Sequence, residues 1–277
     1  MRIATYNVRN YLEKDRQIEG RWLPGYPKPE HEKAVVREVI LSANPDILVL
    51  QEMGPLPFLK ELRRDLKAMG LHYAHMIHLR GPDPDRHLAV LSRIEPAEVV
   101  KHRDLDFKYL DRREQVKRGL LELRFEDGEG GSFKLFAVHL KSHFTEDRED
   151  PGSRMRRTRE AQACRDRIIE QTFEKGLKDF LVAGDFNDHP ASSTLRRFYQ
   201  RGSLKIGDLI PAADRQGAVW TYFYKKEARY SLVDGFVASR AIQTAIREGR
   251  GHIIGGLEVL AGSDHRLVYL DLAFGQE

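Results

Sequence analysis

The chain of 277 residues carries 46 lysines and arginines against 42 aspartates and glutamates, a net charge of +4, with 41% hydrophobic and 32% charged residues. This balance excludes a disordered chain and suits a globular fold with a sizeable core, favouring polyanionic partners only gently; no run approaches the roughly 18 apolar residues of a membrane span. The single cysteine, Cys164, rules out an internal disulfide, and the first apolar run is too short for a secretion signal, so the expectation is a cytoplasmic monomer.

In chain order, the first strand-like run, residues 3–8, closes on Thr5-Tyr6-Asn7. A polar loop over 11–28, holding Trp22 and Tyr26, follows directly and should overhang Asn7. Helical spacing over 29–42 leads to a second strand, 46–51, that runs into Gln51-Glu52. A helix over 57–69 and a strand over 71–77 precede the loop Gly81-Pro82-Asp83-Pro84-Asp85 and a strand over 88–91. Arg118-Gly119 introduces a strand over 120–125, which Asp127-Gly128-Glu129-Gly130-Gly131 should turn back into an antiparallel partner over 133–140. That partner contains His139, with Lys141 on the same side two residues on. The next loop, 141–155, opens a helix over 154–173, in which Ala161, Cys164 and Ile168 form one stripe and Arg157 falls in line a turn earlier, either to face a site or to pair with an acid. A strand over 180–183 runs into Gly184-Asp185-Phe186-Asn187-Asp188. A helix over 192–201, strands over 220–224 and 232–237, the triplet Ser263-Asp264-His265 and a strand over 267–272 complete the chain. No linker interrupts this order, so residues 1–277 read as one domain.

Polar groups therefore collect where strands end, the position at which open α/β sheets bind ligands. Hydrolysing a phosphoester requires an activated water, neutralisation of charge on the non-bridging oxygens and help for the departing oxygen. Glu52, Asn7 and Asp264 offer the carboxylate and amide oxygens that Mg²⁺ or Mn²⁺ prefer. Asp185 and Asn187, two apart in extended chain, point the same way, and His265 can serve as a cation or proton donor near neutral pH. Asp188 points elsewhere and reads as a cap or loop residue.

The ordered set Thr5-Tyr6-Asn7, Gln51-Glu52, Leu91-Ser92-Arg93, Arg118-Gly119, His139-Leu140-Lys141-Ser142, Gly184-Asp185-Phe186-Asn187, Val233-Asp234 and Ser263-Asp264-His265 resembles the endonuclease/exonuclease/phosphatase superfamily with its DNase I-like fold. The resemblance implies a four-layer α/β sandwich, two packed mixed or antiparallel sheets flanked by helices. It implies a metal site at Asn7, Glu52 and Asp264, and catalytic roles for His139, Asp185, Asn187, Asp234 and His265. Asp185 would align and deprotonate the attacking water beside Asn187. Asp234 would orient His265, which would stabilise the transition state or protonate the leaving group. Arg118, Lys141 and Arg157 are expected phosphate contacts. Abasic-site endonucleases carry Tyr at the position of His139 and Asp at that of Arg9, so this chain departs from that branch. The leading expectation is a nuclease that grips nucleic acid with basic residues and with Trp22, Tyr26 and Tyr109. The alternative is a phosphatase or phosphodiesterase acting on a small, sugar or lipid phosphate. A catalytically silent binding module is disfavoured, because every expected site group is chemically competent.

Overall fold

The computed structural model describes residues 1–126, 131–145, 147–256 and 258–274. The chain runs β1 (Arg2–Tyr11), β2 (Lys14–Ile18), β3 (Arg21–Tyr26), α1 (Glu30–Ala43), β4 (Ile47–Met53), α2 (Leu56–Ala68), β5 (His75–Leu79), β6 (His87–Ser92), β7 (Glu98–His102), β8 (Asp106–Tyr109), β9 (Arg112–Gln115), β10 (Leu120–Glu126) and β11 (Ser132–His139). It continues with α3 (Arg154–Gln171), β12 (Phe180–Asp185), α4 (Ser193–Tyr199), β13 (Gln200–Arg201), β14 (Leu204–Lys205), β15 (Asp208–Leu209), β16 (Ala212–Ala213), β17 (Tyr222–Tyr224), β18 (Arg229–Ser231), β19 (Asp234–Ala238), β20 (Gly251–Ile253) and β21 (Val268–Asp271).

Two large sheets form, one ordered β16-β20-β21-β1-β4-β6-β5 and the other β15-β19-β12-β11-β10-β7. Side-chain alternation builds the layers. In β11, Phe133, Leu135 and Ala137 enter the core shared by the two sheets, while Phe136 and Val138 face Ala161, Cys164 and Ile168 of α3. In β4, Ile47 and Val49 face inward while Leu48 and Leu50 meet Val36, Val39 and Ile40 of α1 and Leu59 and Leu62 of α2. The order helices, sheet, sheet, helices is the expected four-layer sandwich. The turn expected over residues 127–131 lies, except for Gly131, outside the described residues, but its flanking strands do pair antiparallel, Glu126 opposite Ser132.

Each sheet has one parallel pair near its centre, β1 with β4 and β11 with β12, so their C-terminal ends share an edge of the sandwich. On the inward-facing parity of these strands, the apolar core residues give way to polar ones at that edge. Ile3 is followed by Thr5 and Asn7, Val49 by Gln51, Ala137 by His139, and Ala183 by Asp185. The Thr5 hydroxyl and the Gln51 amide close the core beneath them, Gln51 Nε2 donating to Thr5 Oγ1 at 3.0 Å. Asp234 heads β19 instead of ending it. Antiparallel pairing with β12 sets Asp234 opposite Asp185 and so brings the first residue of this strand to the same edge.

Three local departures from the sequence reading matter for the site. The loop expected over 11–28 contains the β2–β3 hairpin, with Trp22 71% exposed. An edge strand, β7, pairs with β10 although only Val99 and Val100 mark it as apolar. Tyr109, expected to stack on nucleic acid, is buried and donates its hydroxyl to Asp150. Asp150 in turn accepts the N–H groups of Met155 and Arg156 at 2.8 and 2.9 Å, satisfying donors that open the first turn of α3.

Candidate active site

Asp185 lies at the centre of the edge. Its approach to β11 depends on Gly184 (φ 151°), where a Cβ would stand 1.9 Å from the Val138 carbonyl oxygen. The buried Asp185 carboxylate accepts from Asn7 Nδ2 (2.9 Å), Asn187 Nδ2 (3.1 Å) and the Asn187 N–H (2.8 Å). The Asn7 contact crosses from one sheet to the other. His139 Nε2 and His265 Nε2 stand 3.6 and 3.9 Å from Asp185 Oδ2. On its other nitrogen, His265 Nδ1 donates to Asp234 Oδ2 at 2.9 Å.

Two hydroxyls fix this dyad. Ser263 Oγ donates to the Asn7 carbonyl (2.7 Å) and accepts the His265 N–H (3.1 Å). Thr221, fully buried, accepts the N–H groups of Val233 and Asp234 on Oγ1, both at 3.0 Å, while its carbonyl accepts the Arg266 N–H. Tyr222 lays its ring against His265, centroids 4.7 Å apart. Thr221 and Tyr222 were not singled out in the sequence, where they read only as part of a strand.

Burial and charge then divide the titrating groups. Burial pushes the Asp185 carboxyl up, with help from the Asp234 charge, to about 7 despite the opposing pull of His265. Burial alone would lower His265, but the Asp234 and Asp185 carboxylates outweigh it and raise the imidazole to about 10. Burial, reinforced by Arg118, His265 and Arg86, holds His139 well below the usual histidine range and therefore neutral. Acid, cation and neutral imidazole thus meet around Asp185, with both imidazole Nε2 atoms within 3.9 Å of its Oδ2. Left-handed backbone at Arg9, Asn10, Glu52 and Asn187 clusters at the same edge.

Glu52 would face the helices if β4 continued its alternation. Its positive φ of 58° and the register irregularity between Leu50 and Met53 accompany a different aim, with Oε2 accepting the Asn10 N–H at 2.8 Å and Arg86 Nε 3.7 Å away. Asp264, next to His265, keeps its carboxylate 31% exposed and 3.5 Å from Arg9 Nε. Asn7 Oδ1 accepts the Arg9 N–H, and Asn7 sits opposite Gln51 in the β1–β4 register. The donor chemistry of these three residues fits a hard divalent cation: two partly exposed carboxylates and an amide oxygen, with no sulfur or nitrogen. A second group, Asp185, Asp234 and His265, has ligand atoms all within 4.8 Å of one another. There, however, His265 Nδ1 is occupied by Asp234 and the Asp185 oxygens by amide donors, an arrangement suited to proton transfer.

The expected phosphate contacts separate. Arg118 is 5% exposed, and its Nε and Nη1 have no hydrogen-bond partner among the described residues. Lys141 folds its ammonium back onto the carbonyls of Ser142 and Phe144, and burial and neighbouring cations lower it to about 8. Arg157 donates to Asp188 (3.3 Å) and to the carbonyls of Lys141, Gly152 and Ser153, so it pairs with an acid and braces the loop after β11. Asp188 also accepts from Thr194 at 2.8 Å, tying its own loop, the one after β12, to α4. The buried Glu160, unremarked in the sequence, accepts the N–H groups of Lys117 and Lys141 and so joins the two segments that carry Arg118 and His139. Its place on the α3 stripe between Arg157 and Ala161 was the signal available.

Known structures share this architecture across the whole chain. The Bacteroides thetaiotaomicron mannosyl-6-phosphatase Bt3783 superposes with a TM-score of 0.66 at 18% identity, covering 99% of this chain and 100% of that one. The human Nocturnin catalytic domain with bound sulfate gives 0.63 at 17%, covering 99% and 94%. Sphingomyelinase C from Streptomyces griseocarneus gives 0.63 at 13%, covering 98% and 99%. These similarities establish the fold. No curated protein matches the sequence. The model of the endonuclease/exonuclease/phosphatase family, however, matches residues 4–265, a span that contains every site residue from Asn7 to His265, and the chain belongs to that family.

Proposed function

We propose that this protein is a divalent-metal-dependent phosphoester hydrolase whose substrates are phosphodiesters of nucleic acid. The observation that carries the chemistry is the Asp234–His265 pair facing Asp185, because it sets a carboxyl near neutrality 3.9 Å from an imidazolium. Asp185, aligned by the Asn7 and Asn187 amides, takes a proton from water as that water attacks phosphorus. His265 Nε2 faces the developing charge and gives its proton to the departing oxygen, while Asp234 holds the ring and stabilises its charged form. Neutral His139, with Nε2 3.6 Å from the same Asp185 Oδ2, offers a further hydrogen-bonding group. A divalent cation held by Asn7, Glu52 and Asp264 would supply Lewis-acid neutralisation of the phosphate charge.

The preference for nucleic acid rests on the rim. Beside His265, the β17–β18 hairpin carries Tyr222, Tyr224 and Tyr230 together with Lys225, Lys226 and Arg229, and Trp22 projects from β3. Aromatic faces interleaved with cations suit bases and backbone phosphates. A second reading, a small or sugar phosphate monoester, is favoured by the buried Arg118, whose Nη1 has no hydrogen-bond partner among the described residues and suits a compact anion. Specificity constants for a DNA oligomer and for p-nitrophenyl phosphate, at low and high salt with metal fixed, separate the two. Cleavage of DNA that falls steeply with salt supports the strand reading, whereas better monoester turnover indifferent to salt refutes it.

A further inference from the structure

The loop 81–86 connects the two halves of the active edge, and its hub is Asp83. Asp83 is 2% exposed, and its N–H donates to the Lys117 carbonyl at 2.7 Å. Oδ1 accepts the N–H groups of Asp85 and Arg86, both at 3.0 Å, and Oδ2 stands 3.2 Å from Arg118 Nε in an ion pair without hydrogen-bond geometry. Gly81 packs against the same segment so closely that a Cβ would stand 2.6 Å from the Arg118 carbonyl carbon. From this loop, which joins β5 to β6, the Arg86 guanidinium stays with its own sheet, donating to Asn10 Oδ1 of β1 at 2.9 Å and standing 3.7 Å from Glu52 Oε2 of β4. Arg86 and Arg118 both act electrostatically on His139, and Arg118 keeps a buried Nη1 without a partner among the described residues.

Resting on the phosphoester reading above, we propose that Arg86 joins Arg118 to form a two-arginine subsite for a substrate phosphate beside His139, with Asp83 as the positioning residue that sets Arg86. Two arginines offer several donors to phosphate oxygens, and an unpaired buried guanidinium nitrogen is costly until an anion meets it. Asp83 has opposed effects. Its Oδ1 fixes the backbone that carries Arg86, while its charge competes with phosphate for Arg118. Replacing the charge alone therefore differs in sign from removing the anchor.

The test is inorganic phosphate binding by isothermal titration calorimetry to the full chain in chelator, alongside turnover with metal. Arg86→Gln and Arg118→Gln should each weaken phosphate binding by about tenfold or more. Asp83→Asn, which keeps an oxygen for the two loop N–H groups and loses the competing charge, should bind phosphate as well as wild type or better. Asp83→Ala should bind more weakly than wild type. No phosphate binding by wild type, unchanged affinity in Arg86→Gln, or Asp83→Asn weakened in parallel with Asp83→Ala would each overturn the subsite. If Asp83→Ala does not fold, the Arg86→Gln and Asp83→Asn measurements still decide. Phosphate binding that follows this pattern in a protein hydrolysing no ester would leave the subsite standing and refute the hydrolase reading.

Discussion

Asp185→Asn separates the energetic state of the site from its chemistry. The carboxyl is buried and raised from 3.8 to about 7, so between these values the folded protein holds a proton that the unfolded chain releases. Its contribution therefore turns unfavourable as pH rises through this window and stays constant above it. From pH 5 to pH 7 the effect grows at about 1.4 kcal/mol per unit, giving up to about 3 kcal/mol by pH 9. His265 acts in the same direction: its stabilisation is complete below 6.5 and is lost as pH climbs towards 10. An amide at position 185 abolishes the first contribution and reduces the second. It also sets a donor against the amides of Asn7 and Asn187, a penalty that is the same at both pH values and cancels in the comparison. Urea unfolding of both proteins in chelator at pH 5 and pH 9 should show Asp185→Asn gaining about 2 to 3 kcal/mol relative to wild type at the higher pH. A stability difference that is the same at both pH values would refute the assignment of Asp185 as a buried acid raised toward neutrality.

His265→Ala should lose on the order of 10² or more in kcat with the fold intact, and combining it with Asp185→Asn should cost less than the product of the two losses; steady-state kinetics with circular dichroism check both points. Thr221→Val strands the buried N–H groups of Val233 and Asp234 and should destabilise the protein by about 1 to 3 kcal/mol while lowering kcat more than it raises KM. Thr221→Ser should restore both, and equal turnover in the Val and Ser variants would show that the hydroxyl does not position the dyad. Glu52→Gln should weaken Mg²⁺ or Mn²⁺ binding in calorimetric titrations by more than it lowers the melting temperature.

Much of the frame was legible because each central strand carries two signals at once. In β11, Phe133, Leu135 and Ala137 fix the inward parity, and the same parity then delivers His139 to the edge. β1 and β12 do this with Asn7 and Asp185. Information that is not local was harder to read. Nothing in Leu232-Val233-Asp234-Gly235-Phe236 states that the strand runs antiparallel to β12, which is why Asp234 opens it. Trp22 and Tyr109 look alike in sequence as aromatic residues in charged surroundings, yet one is exposed on a hairpin and the other is buried over the start of α3. Arg157 and Glu160 lie on a stripe that reads as core, and only the loops packed against it reveal which acid and which N–H groups they meet. Arg86 and Asp83 sit in a proline-rich loop whose register no periodicity sets.

The central claim is tested most directly by turnover of protein shown to be metal-free, with bis-p-nitrophenyl phosphate and a DNA oligomer as substrates, before and after titration with Mg²⁺ or Mn²⁺. Hydrolysis should be absent in chelator, return with added cation in wild type, and return only at higher cation concentration in Glu52→Gln. Full turnover by the metal-free protein, or identical cation dependence in wild type and Glu52→Gln, would contradict it.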